Sequence, residues 1–401
     1  MLRPAPSRFA TVERRRGFAF GLLAGAAIAI AVVALADALF GPFGSGSTVS
    51  DARTTIEDNY FHKVGSGELE NASIDGMVSE LRHRYHDRFS RYLNPRSVGA
   101  FESETSGQFS GIGLTVTGIK GGGLRVASVI PGTPARRAGI ERGDQIVAAN
   151  GKSLRGRPKD AAVSLIRGQP GTTVSLRVVP AGGGGASTLR VKRADVRVPA
   201  VKGTLRRADG HKVADVRFAT FSEGAHGELR DAVDRLYRRG AEGLVLDLRG
   251  NGGGLLDEAV LSASVFLKRG QRVVSTKSRT EGDQTYDAVG DPVAQKPIVV
   301  LVDHDTASAA EILTAALEDH GLATVAGTRT FGKGTFQQAL DLPNGGALDL
   351  TIGRFFTANG SSTLNKGIVP DIHAADNPTT KGDEALRRGL SVLGAKLGGG
   401  P

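Results

Sequence analysis

Hydrophobic and polar positions follow different periods along the chain, and these periods divide it into regions of distinct predicted structure. An uncharged apolar run occupies residues 17–36, and apolar residues then recur at helical spacing between about residues 49 and 91. Short runs bounded by glycine-rich turns fill residues 106–198 and predict β-strands. From residue 199 onward, buried strands alternate with helical patterns, which is typical of a layered α/β domain.

The apolar run reads GFAFGLLAGAAIAIAVVALA and is long enough, as a helix, to cross a ~30 Å hydrocarbon core. Arginines precede it, so the positive-inside rule places residues 1–16 in the cytoplasm and the bulk of the chain outside. We therefore expect a membrane-anchored protein of the cell envelope. An A-x-A site ending at Ala36 leaves a cleaved signal peptide and a secreted protein open.

The patterns predict six segments. These are a cytoplasmic tail (1–16), a membrane anchor or signal peptide (17–40), a helical N-terminal region (47–105), a β domain (106–198), an α/β core (199–375) and a C-terminal tail (376–401).

Composition excludes several classes of function. The chain has no cysteine, which excludes disulfides, thiol nucleophiles and thiolate metal sites. Aromatic residues make up only 5%, which argues against single-stranded nucleic-acid binding. The net charge of +10 comes from basic residues that look scattered, apart from ERRR near the start, and this favours a solvated surface. His83 and His86 lack a third ligand at matching spacing, so we predict no metal site there.

Lys333 lies in GTRTFGKG, which is close to the phosphate-binding pattern GxxxxGK[ST]. Gly334 stands where that pattern needs a hydroxyl for magnesium. The following TFQQALDLPNGGALDLTIGRFF alternates apolar and polar residues around a PNGG turn and predicts a hairpin, whereas a phosphate loop ends on a helix. We therefore predict no nucleotide cofactor, and Lys333 needs another function.

Two strand-to-helix junctions in the α/β core carry unusual residues. GLVLDLR (243–249) leads through GNGGG into a helix, and PIVVLVD (297–303) leads through HDTA into SAAEILTAALE. Ser308 opens that second helix, where a serine can simply cap it. Its alanine neighbours would also let a substrate backbone approach, and the helix N-terminus would stabilise a developing negative charge. His304 with Asp303 or Asp305, or else Lys333, could act as the base.

The β domain contains, in order, a strand, a glycine-rich turn, SVIPGTPARRAGI, GDQIVAANG, the helical KDAAVSLIRG and the strand TVSLRVV. This order resembles a PDZ domain. Such domains hold a peptide's C-terminal carboxylate on backbone N–H groups of a glycine-flanked turn, and the peptide then adds to the sheet edge as a strand. The matching turn consists of Gly111, Ile112, Gly113 and Leu114.

The runs TASAAEI, RTFGKGTFQ, LDLRGNGGG and NKGIVPDI, behind a PDZ-like segment, resemble the carboxyl-terminal processing (tail-specific) serine proteases over residues 50–375. The resemblance implies a layered α/β, crotonase/Clp-like core that holds a Ser/Lys dyad. It implies Ser308 as the nucleophile, Lys333 as the general base and Gln337 as the residue that orients Lys333. Ala309 and Gly253 would supply the oxyanion hole.

The resemblance further implies that Arg167 couples peptide binding to assembly of the active site. Gly252 stands where the family usually has proline, which removes a fixed φ angle from the loop. The expected activity is ATP-independent cleavage at or near free protein C-termini, with no cofactor, metal or nucleic-acid partner and with a homo-oligomer left open. The alternative is a catalytically silent PDZ module. Phe331 and Phe336 are expected to surround Lys333 with apolar groups, which would lower its pKa.

Overall fold

The computed structural model describes residues 48–377, 379–380 and 382–399. The predicted membrane segment, residues 17–36, lies outside this part of the chain. Within it, no helix is both long enough and apolar enough to cross a bilayer. Two compact units divide the chain, Met1–His86 and Asp87–Pro401.

The described part of the first unit consists of two helices, α1 (Thr48–Asn59) and α2 (Ser66–Tyr85). Arg53 links them, because its guanidinium lies 3.6 Å from both Glu57 and Glu70. The predicted helical region is therefore present. Four large apolar side chains nevertheless remain exposed, and Val78 is the one buried residue among residues 48–86 of this unit; the exposed ones are Tyr60, Phe61, Met77 and Tyr85.

The second unit opens with strand β1 (Arg91–Leu93) and helix α3 (Val98–Ser106), and the PDZ-like segment follows. The elements of that segment are β2 (Gln108–Gly111), β3 (Leu114–Gly118), β4 (Leu124–Val129), α4 (Pro134–Arg137), β5 (Gln145–Ala149), β6 (Lys152–Ser153), α5 (Lys159–Ile166), β7 (Thr173–Val179), β8 (Ser187–Lys192) and β9 (Ala194–Arg197).

The main sheet of this segment has the order β3-β4-β5-β7-β8, with β6 paired to β5, and β2 pairs separately with β9. Apolar side chains from one face of the sheet, such as Leu124 and Leu176, pack with Ala162 and Ile166 of α5. Strand β3 is an edge of the sheet, so one side of it is available for pairing.

The α/β core contains the remaining elements. They are β10 (Val201–Ala208), β11 (His211–Phe218), α6 (Ala225–Arg238), β12 (Gly243–Asp247), α7 (Leu256–Ala263), β13 (Arg272–Ser278), β14 (Gly282–Asp287), β15 (Ile298–Val302), α8 (Ala309–Asp319), β16 (Ala323–Gly327), β17 (Thr335–Asp341), β18 (Ala347–Thr357), β19 (Ile372–His373) and α9 (Glu384–Leu397).

One core sheet has the order β10-β11-β12-β15-β16-β19, and all its pairs except β10–β11 are parallel. Alternate residues of each strand point to opposite faces. Leu244 and Leu246 pack with helices α6, α7 and α8, whereas Val245 packs with α9. Residues 384–397, within the predicted tail, thus form a helix that covers this sheet.

A second core sheet has the order β1-β18-β13-β14, with β17 paired to β18. The predicted hairpin after Lys333 is confirmed, because β17 and β18 pair antiparallel on either side of the PNGG turn. Strand β1 adds to the far side of β18 and brings Arg91 opposite Asp349.

Candidate active site

Ser308 ends the loop that follows β15 and caps the N-terminus of α8. Its backbone has φ 57° and ψ −119°, a left-handed conformation that costs a residue with a Cβ on the order of 1–3 kcal/mol. The preceding loop fixes this geometry, since the Thr306 hydroxyl donates to the Leu248 carbonyl at 3.0 Å and contacts Asp303 at 3.1 Å. A sharp strand-to-helix turn therefore holds Ser308 beyond the C-terminal end of strand β15.

The glycine-rich loop after β12 lies against this turn because β12 and β15 are parallel neighbours. At Gly253 (φ 103°), an added Cβ would lie 2.8 Å from the Ser308 Cβ, so only glycine fits. The Gly253 N–H donates to Asn251 Oδ1 at 2.9 Å. A Cβ added at Gly252 would meet no atom within 4 Å, so the loop has room for a larger residue at this position.

The backbone N–H of Ala309 has no acceptor among the described residues. It lies at the first position of α8, where helix N–H groups have no partner within the helix. The N–H of Gly253, the second predicted oxyanion donor, is already used by Asn251. Of the two predicted donors, Ala309 is therefore the one ready to bind an oxyanion in this conformation.

Arg249 joins the start of the glycine-rich loop to the C-terminal helix. Its guanidinium binds Asp247 at 2.8 and 2.9 Å, Asp383 at 2.9 Å and Asp376 at 2.6 Å. Asp383 also caps α9 by accepting the Leu386 N–H at 2.8 Å. These carboxylates stabilise the charged guanidinium, and the pKa of Arg249 is raised although burial acts against the charge.

Glu311 is completely buried one turn after Ser308. Its carboxylate accepts the N–H groups of Ser308 (3.0 Å), Gly332 (2.8 Å) and Lys333 (3.0 Å) and the hydroxyl of Thr330 (2.6 Å). One side chain therefore fixes the backbone of both Ser308 and Lys333. Four hydrogen bonds satisfy a buried carboxylate that would otherwise be very unfavourable.

Lys333 places its ammonium 5.1 Å from the centre of the Phe89 ring. Burial lowers its pKa below the usual value for lysine. The negative charges of Asp349 and Glu311 oppose this effect, and the positive charge of Arg91 adds to it. No hydrogen bond joins Lys333 Nζ to Ser308 Oγ, or to any other group in the part of the chain that the structure describes.

Gln337 binds two threonines through its amide. Its Nε2 donates to Thr351 Oγ1 at 3.1 Å and to Thr335 Oγ1 at 3.3 Å. Thr351 in turn donates its hydroxyl to Asp87 at 3.0 Å and its N–H to Ser90 at 2.9 Å. The residue predicted to orient the base is thus held by a different network in this conformation.

A cavity of about 530 Å³ brings the predicted residues together. Ser308, Ala309, Lys333, Gln337 and Gly253 all line it. Its remaining lining is partly apolar, with Phe101, Phe221, Leu255, Leu256, Ile312, Phe336 and Phe355. An extended peptide could therefore place a carbonyl group beside the serine and an apolar side chain against these residues.

The alternative base does not share this cavity. The His304 side chain is 81% exposed and lies 3.4 Å from Asp305. Asp303 accepts the N–H groups of Gly250 and Asp305, so its carboxylate stabilises the loop. The structure therefore gives no support to a Ser/His/Asp arrangement at this site.

Two parts of this chain match known protein families. The model of peptidase family S41 matches residues 212–374, and a PDZ domain model matches residues 125–180. Carboxy-terminal processing protease CtpA of Bacillus subtilis (strain 168) is 36% identical over 354 residues, which cover 87% of this chain and 74% of the relative. A "Probable CtpA-like serine protease" of Staphylococcus aureus (strain MRSA252) is 36% identical over 361 residues, 85% and 71% of the two chains.

This chain belongs to the carboxy-terminal processing proteases of peptidase family S41. It is a serine peptidase that acts on C-terminal tails and carries a PDZ domain.

Two solved structures are also similar to this chain. The photosystem II D1 C-terminal processing protease is 28% identical, with 86% of this chain and 96% of that chain covered and a TM-score of 0.49. A structure from Bacteroides fragilis described as an S41 protease is 21% identical, with 85% and 91% covered and a TM-score of 0.51. The second likeness supports the shared fold.

The turn predicted to bind a substrate carboxylate in this processing protease joins β2 to β3. Gly113 adopts φ 86°, and an added Cβ there would lie within 2.5 Å of the Thr133 side chain. Ile112 is buried, and its carbonyl accepts the Ala135 N–H at 2.8 Å. The turn is therefore held firmly and lies at the start of the edge strand β3.

Arg167 ends helix α5, and its side chain is exposed. Its guanidinium forms no hydrogen bond or ion pair with any described residue. The contact through which it was predicted to couple the PDZ domain to the core is therefore not formed in this conformation.

The sequence patterns did not reveal four residues that shape the site: Phe89, Arg91, Glu311 and Asp349. The position of Glu311 in TASAAEI indicates only a helix cap. The other three meet Lys333 through the pairing of β1 with β18, which joins residues 258 apart in sequence.

Glu311→Gln is expected to lower both stability and activity. The glutamine NH₂ group cannot accept a hydrogen bond, so at least one of the buried N–H groups loses its partner at a cost of roughly 1–3 kcal/mol. Urea unfolding and kcat with an unstructured protein substrate measure the two effects.

Glu318→Gln, on the same helix, is the matched control. The carboxylate of Glu318 forms no hydrogen bond among the described residues, and burial with nearby Asp371 and Asp319 raises its pKa to about 7. A raised pKa contributes stability only at acidic pH and loses it as pH rises through about 7, so this control should be neutral or slightly stabilising in mildly alkaline buffer. Equal losses in both variants would contradict the role of Glu311.

Arg91 and Asp349 should shift the pH dependence of this processing protease in opposite directions. Arg91 Nε lies 3.0 Å from Asp349 Oδ2, and both residues line the cavity beside Lys333. Without Arg91, Asp349 acts on the ammonium unopposed and raises the pKa of Lys333. Arg91→Gln should therefore move the acidic limb of the kcat/KM profile to higher pH, and Asp349→Asn should move it to lower pH.

Arg272→Gln is the control for that experiment, because it removes an ion pair of similar geometry, 2.8 Å from Asp287, on neighbouring strands outside the cavity. We expect its acidic limb to stay in place. Shifts of the same sign in Arg91→Gln and Asp349→Asn would refute the electrostatic explanation.

Proposed function

We propose that this processing protease uses Ser308 as its nucleophile and Lys333 as its general base. The observation that carries the proposal is the shared carboxylate of Glu311, which binds the backbone N–H of both residues at 3.0 Å beside one cavity. A neutral amine is needed to accept a proton, and burial of Lys333 favours that form.

The chemistry follows that of a serine acyl transfer. Ser308 Oγ attacks the peptide carbonyl carbon while its proton passes to Lys333 Nζ. The oxyanion receives the Ala309 N–H and the field of the α8 N-terminus. Lys333 then protonates the leaving amine, and water hydrolyses the acyl-enzyme by the reverse sequence of proton transfers.

The conformation described above needs one rearrangement before this reaction. Lys333 Nζ has to approach Ser308 Oγ, and Gln337 has to leave Thr351 to orient the base. We propose that binding of a C-terminal tail to the PDZ domain favours this change. A ligand shifts such an equilibrium only through different affinities for the two states, so the PDZ domain must contact the core differently in each.

The proposed tail site is the turn at Gly111–Leu114 with the edge strand β3. The carboxylate would bind the turn, and the tail would add to β3 as a further strand. Arg167 is the proposed coupling residue, because its guanidinium is free among the described residues and can hold a carbonyl or carboxylate of the core with directed hydrogen bonds. We further propose that residues 17–36 anchor the protein with its catalytic part outside the cytoplasm.

The test uses the full-length protein and one unstructured protein substrate, with mass spectrometry of the products. Wild type should release C-terminal fragments. Arg167→Ala should cleave at least about tenfold more slowly while binding a C-terminal peptide with unchanged affinity, which corresponds to a coupling free energy above 1 kcal/mol. Arg142→Ala, another exposed arginine of the PDZ domain, is the control and should cleave normally.

Three other results would be informative. Unchanged cleavage by Arg167→Ala would remove the coupling role. Parallel loss of peptide binding and cleavage would make Arg167 part of the tail site. Peptide binding by wild type with no products would refute the catalytic assignment and favour the silent PDZ module.

A further inference from the structure

The positive charge of the chain is concentrated in one domain. Residues 106–198 contain 15 of the 51 lysines and arginines but only 4 of the 41 aspartates and glutamates, a formal net charge of +11. All other residues together sum to −1. The basic residues themselves are spread along the chain, as expected, and the net charge is concentrated in the PDZ domain because acidic residues are depleted there.

Within this domain, four of the fifteen cations lie on one face of the main sheet. Strand alternation puts Leu124, Val126, Leu176 and Val191 into the core, so the residues between them point outward. The outward positions of β4, β7 and β8 include Arg125, Arg177, Arg190 and Lys192, all exposed. We call this surface the basic face.

A shallow cleft adjoins the basic face at Arg177. Its lining includes Lys120, Arg155 and Arg177 and contains no acidic residue. Among the described residues, none of the six cations of the face and cleft takes part in an ion pair.

The four acidic residues of the domain lie elsewhere. Glu141 lies 3.8 Å from Arg136, and the buried Asp144 binds the N–H groups of Glu141 and Ala181. Asp160 is in helix α5 and Asp195 in β9, which is not part of the main sheet. Nothing on the basic face therefore neutralises its charge, and the cations repel one another.

The basic face is separate from the proposed tail site. Helix α5 packs against the opposite face of the sheet through Ala162 and Ile166, and the tail site uses the edge strand β3. A partner on the basic face would thus leave β3 accessible.

We propose that the basic face binds the surface of an anionic phospholipid bilayer. A sheet face is broad, whereas a substrate tail needs a groove or an edge. Guanidinium groups bind phosphate with paired hydrogen bonds, and basic residues near an anionic bilayer each strengthen binding by about fivefold. Strands β4, β5, β7 and β8 contain no aromatic residue, which disfavours stacking with single-stranded nucleic acid.

The experiment uses the absence of cysteine in the chain. Thr188→Cys, on β8 opposite Arg177, provides one site for a polarity-sensitive dye on the basic face. The full-length labelled protein is reconstituted with vesicles of phosphatidylcholine alone or of phosphatidylcholine with phosphatidylglycerol, and a lipid-borne quencher reports contact. We expect quenching only in the anionic vesicles and its loss at high salt.

Combined reversal by Arg125→Glu, Arg177→Glu and Arg190→Glu should weaken docking by at least about 100-fold, because three cations are lost and three repelled anions are added, and it should abolish the quenching. The matched control reverses three exposed arginines of the core, Arg238→Glu, Arg239→Glu and Arg269→Glu, and should retain it. Circular dichroism and binding of a C-terminal peptide verify that both triple variants are folded.

Equal quenching in neutral vesicles, or quenching that survives the basic-face reversal, would overturn the proposal. Loss of quenching in anionic vesicles when an acidic peptide is added at micromolar concentration would also overturn it and would identify a protein partner. Release by a short DNA duplex at the same concentration would instead identify nucleic acid.

Discussion

Ser308→Ala is expected to abolish cleavage of an unstructured protein, with a loss in kcat of roughly 10⁴-fold or more. Only the hydroxyl is removed, and the Cβ of residue 308 remains. The Ser308 N–H still donates to Glu311, so the turn should keep its geometry. Mass spectrometry of the products measures the loss, and urea unfolding should show stability close to wild type.

Ser308→Gly separates chemistry from backbone strain. It should be as inactive as Ser308→Ala, but glycine adopts φ 57° without the cost of a Cβ, so it should be more stable by up to about 1 kcal/mol. Residual cleavage of more than a few per cent in either variant would place the nucleophile elsewhere.

Lys333→Ala should reduce kcat by roughly 10²–10⁴-fold, because the serine then has no positioned base. Lys333→Arg should do no better. An arginine retains positive charge but cannot lose its proton in a protein. Since a neutral Lys333 is required, kcat/KM of wild type should rise with pH through the pKa of Lys333, which burial places below the usual lysine value.

His304→Ala is the control for the identity of the base, and its kcat should match wild type because the imidazole is 81% exposed. Initial rates across pH with one peptide substrate measure all three variants. An inactive His304→Ala beside an active Lys333→Ala would reverse the assignment.

Much of the fold follows from local sequence patterns. The strands at 243–247 and 298–302, the helix after Ser308 and the hairpin after Lys333 were all predictable from hydrophobic period and turn residues. The strand-to-helix junctions also indicated where Ser308 lies.

The environment of Lys333 was less predictable. Phe331, expected beside the ammonium, is 44% exposed, and the Phe89 ring lies there instead. Phe89 arrives from the segment next to β1, and the pairing of β1 with β18 cannot be read from either strand alone. Only Phe336 among the two predicted aromatic residues lines the cavity.

The direction of the Gln337 side chain could not be predicted from the sequence. The motif spacing places Gln337 four residues after Lys333, but the β-bulge at Phe336/Gln337 and the hydroxyl of Thr351 decide where its amide points. Such hydrogen-bond choices depend on small energy differences between alternative partners.

The ion pairs of Arg249 join residues that are synthesised far apart in time. The ribosome makes the glycine-rich loop more than a hundred residues before Asp376 and Asp383. These two carboxylates bind the guanidinium of Arg249 at the start of the loop. Until those residues emerge, Arg249 has only Asp247 as a partner. The partners that fix Arg249, the residue before the cavity-lining Gly250, are therefore translated last, after Ser308, Lys333 and the PDZ domain.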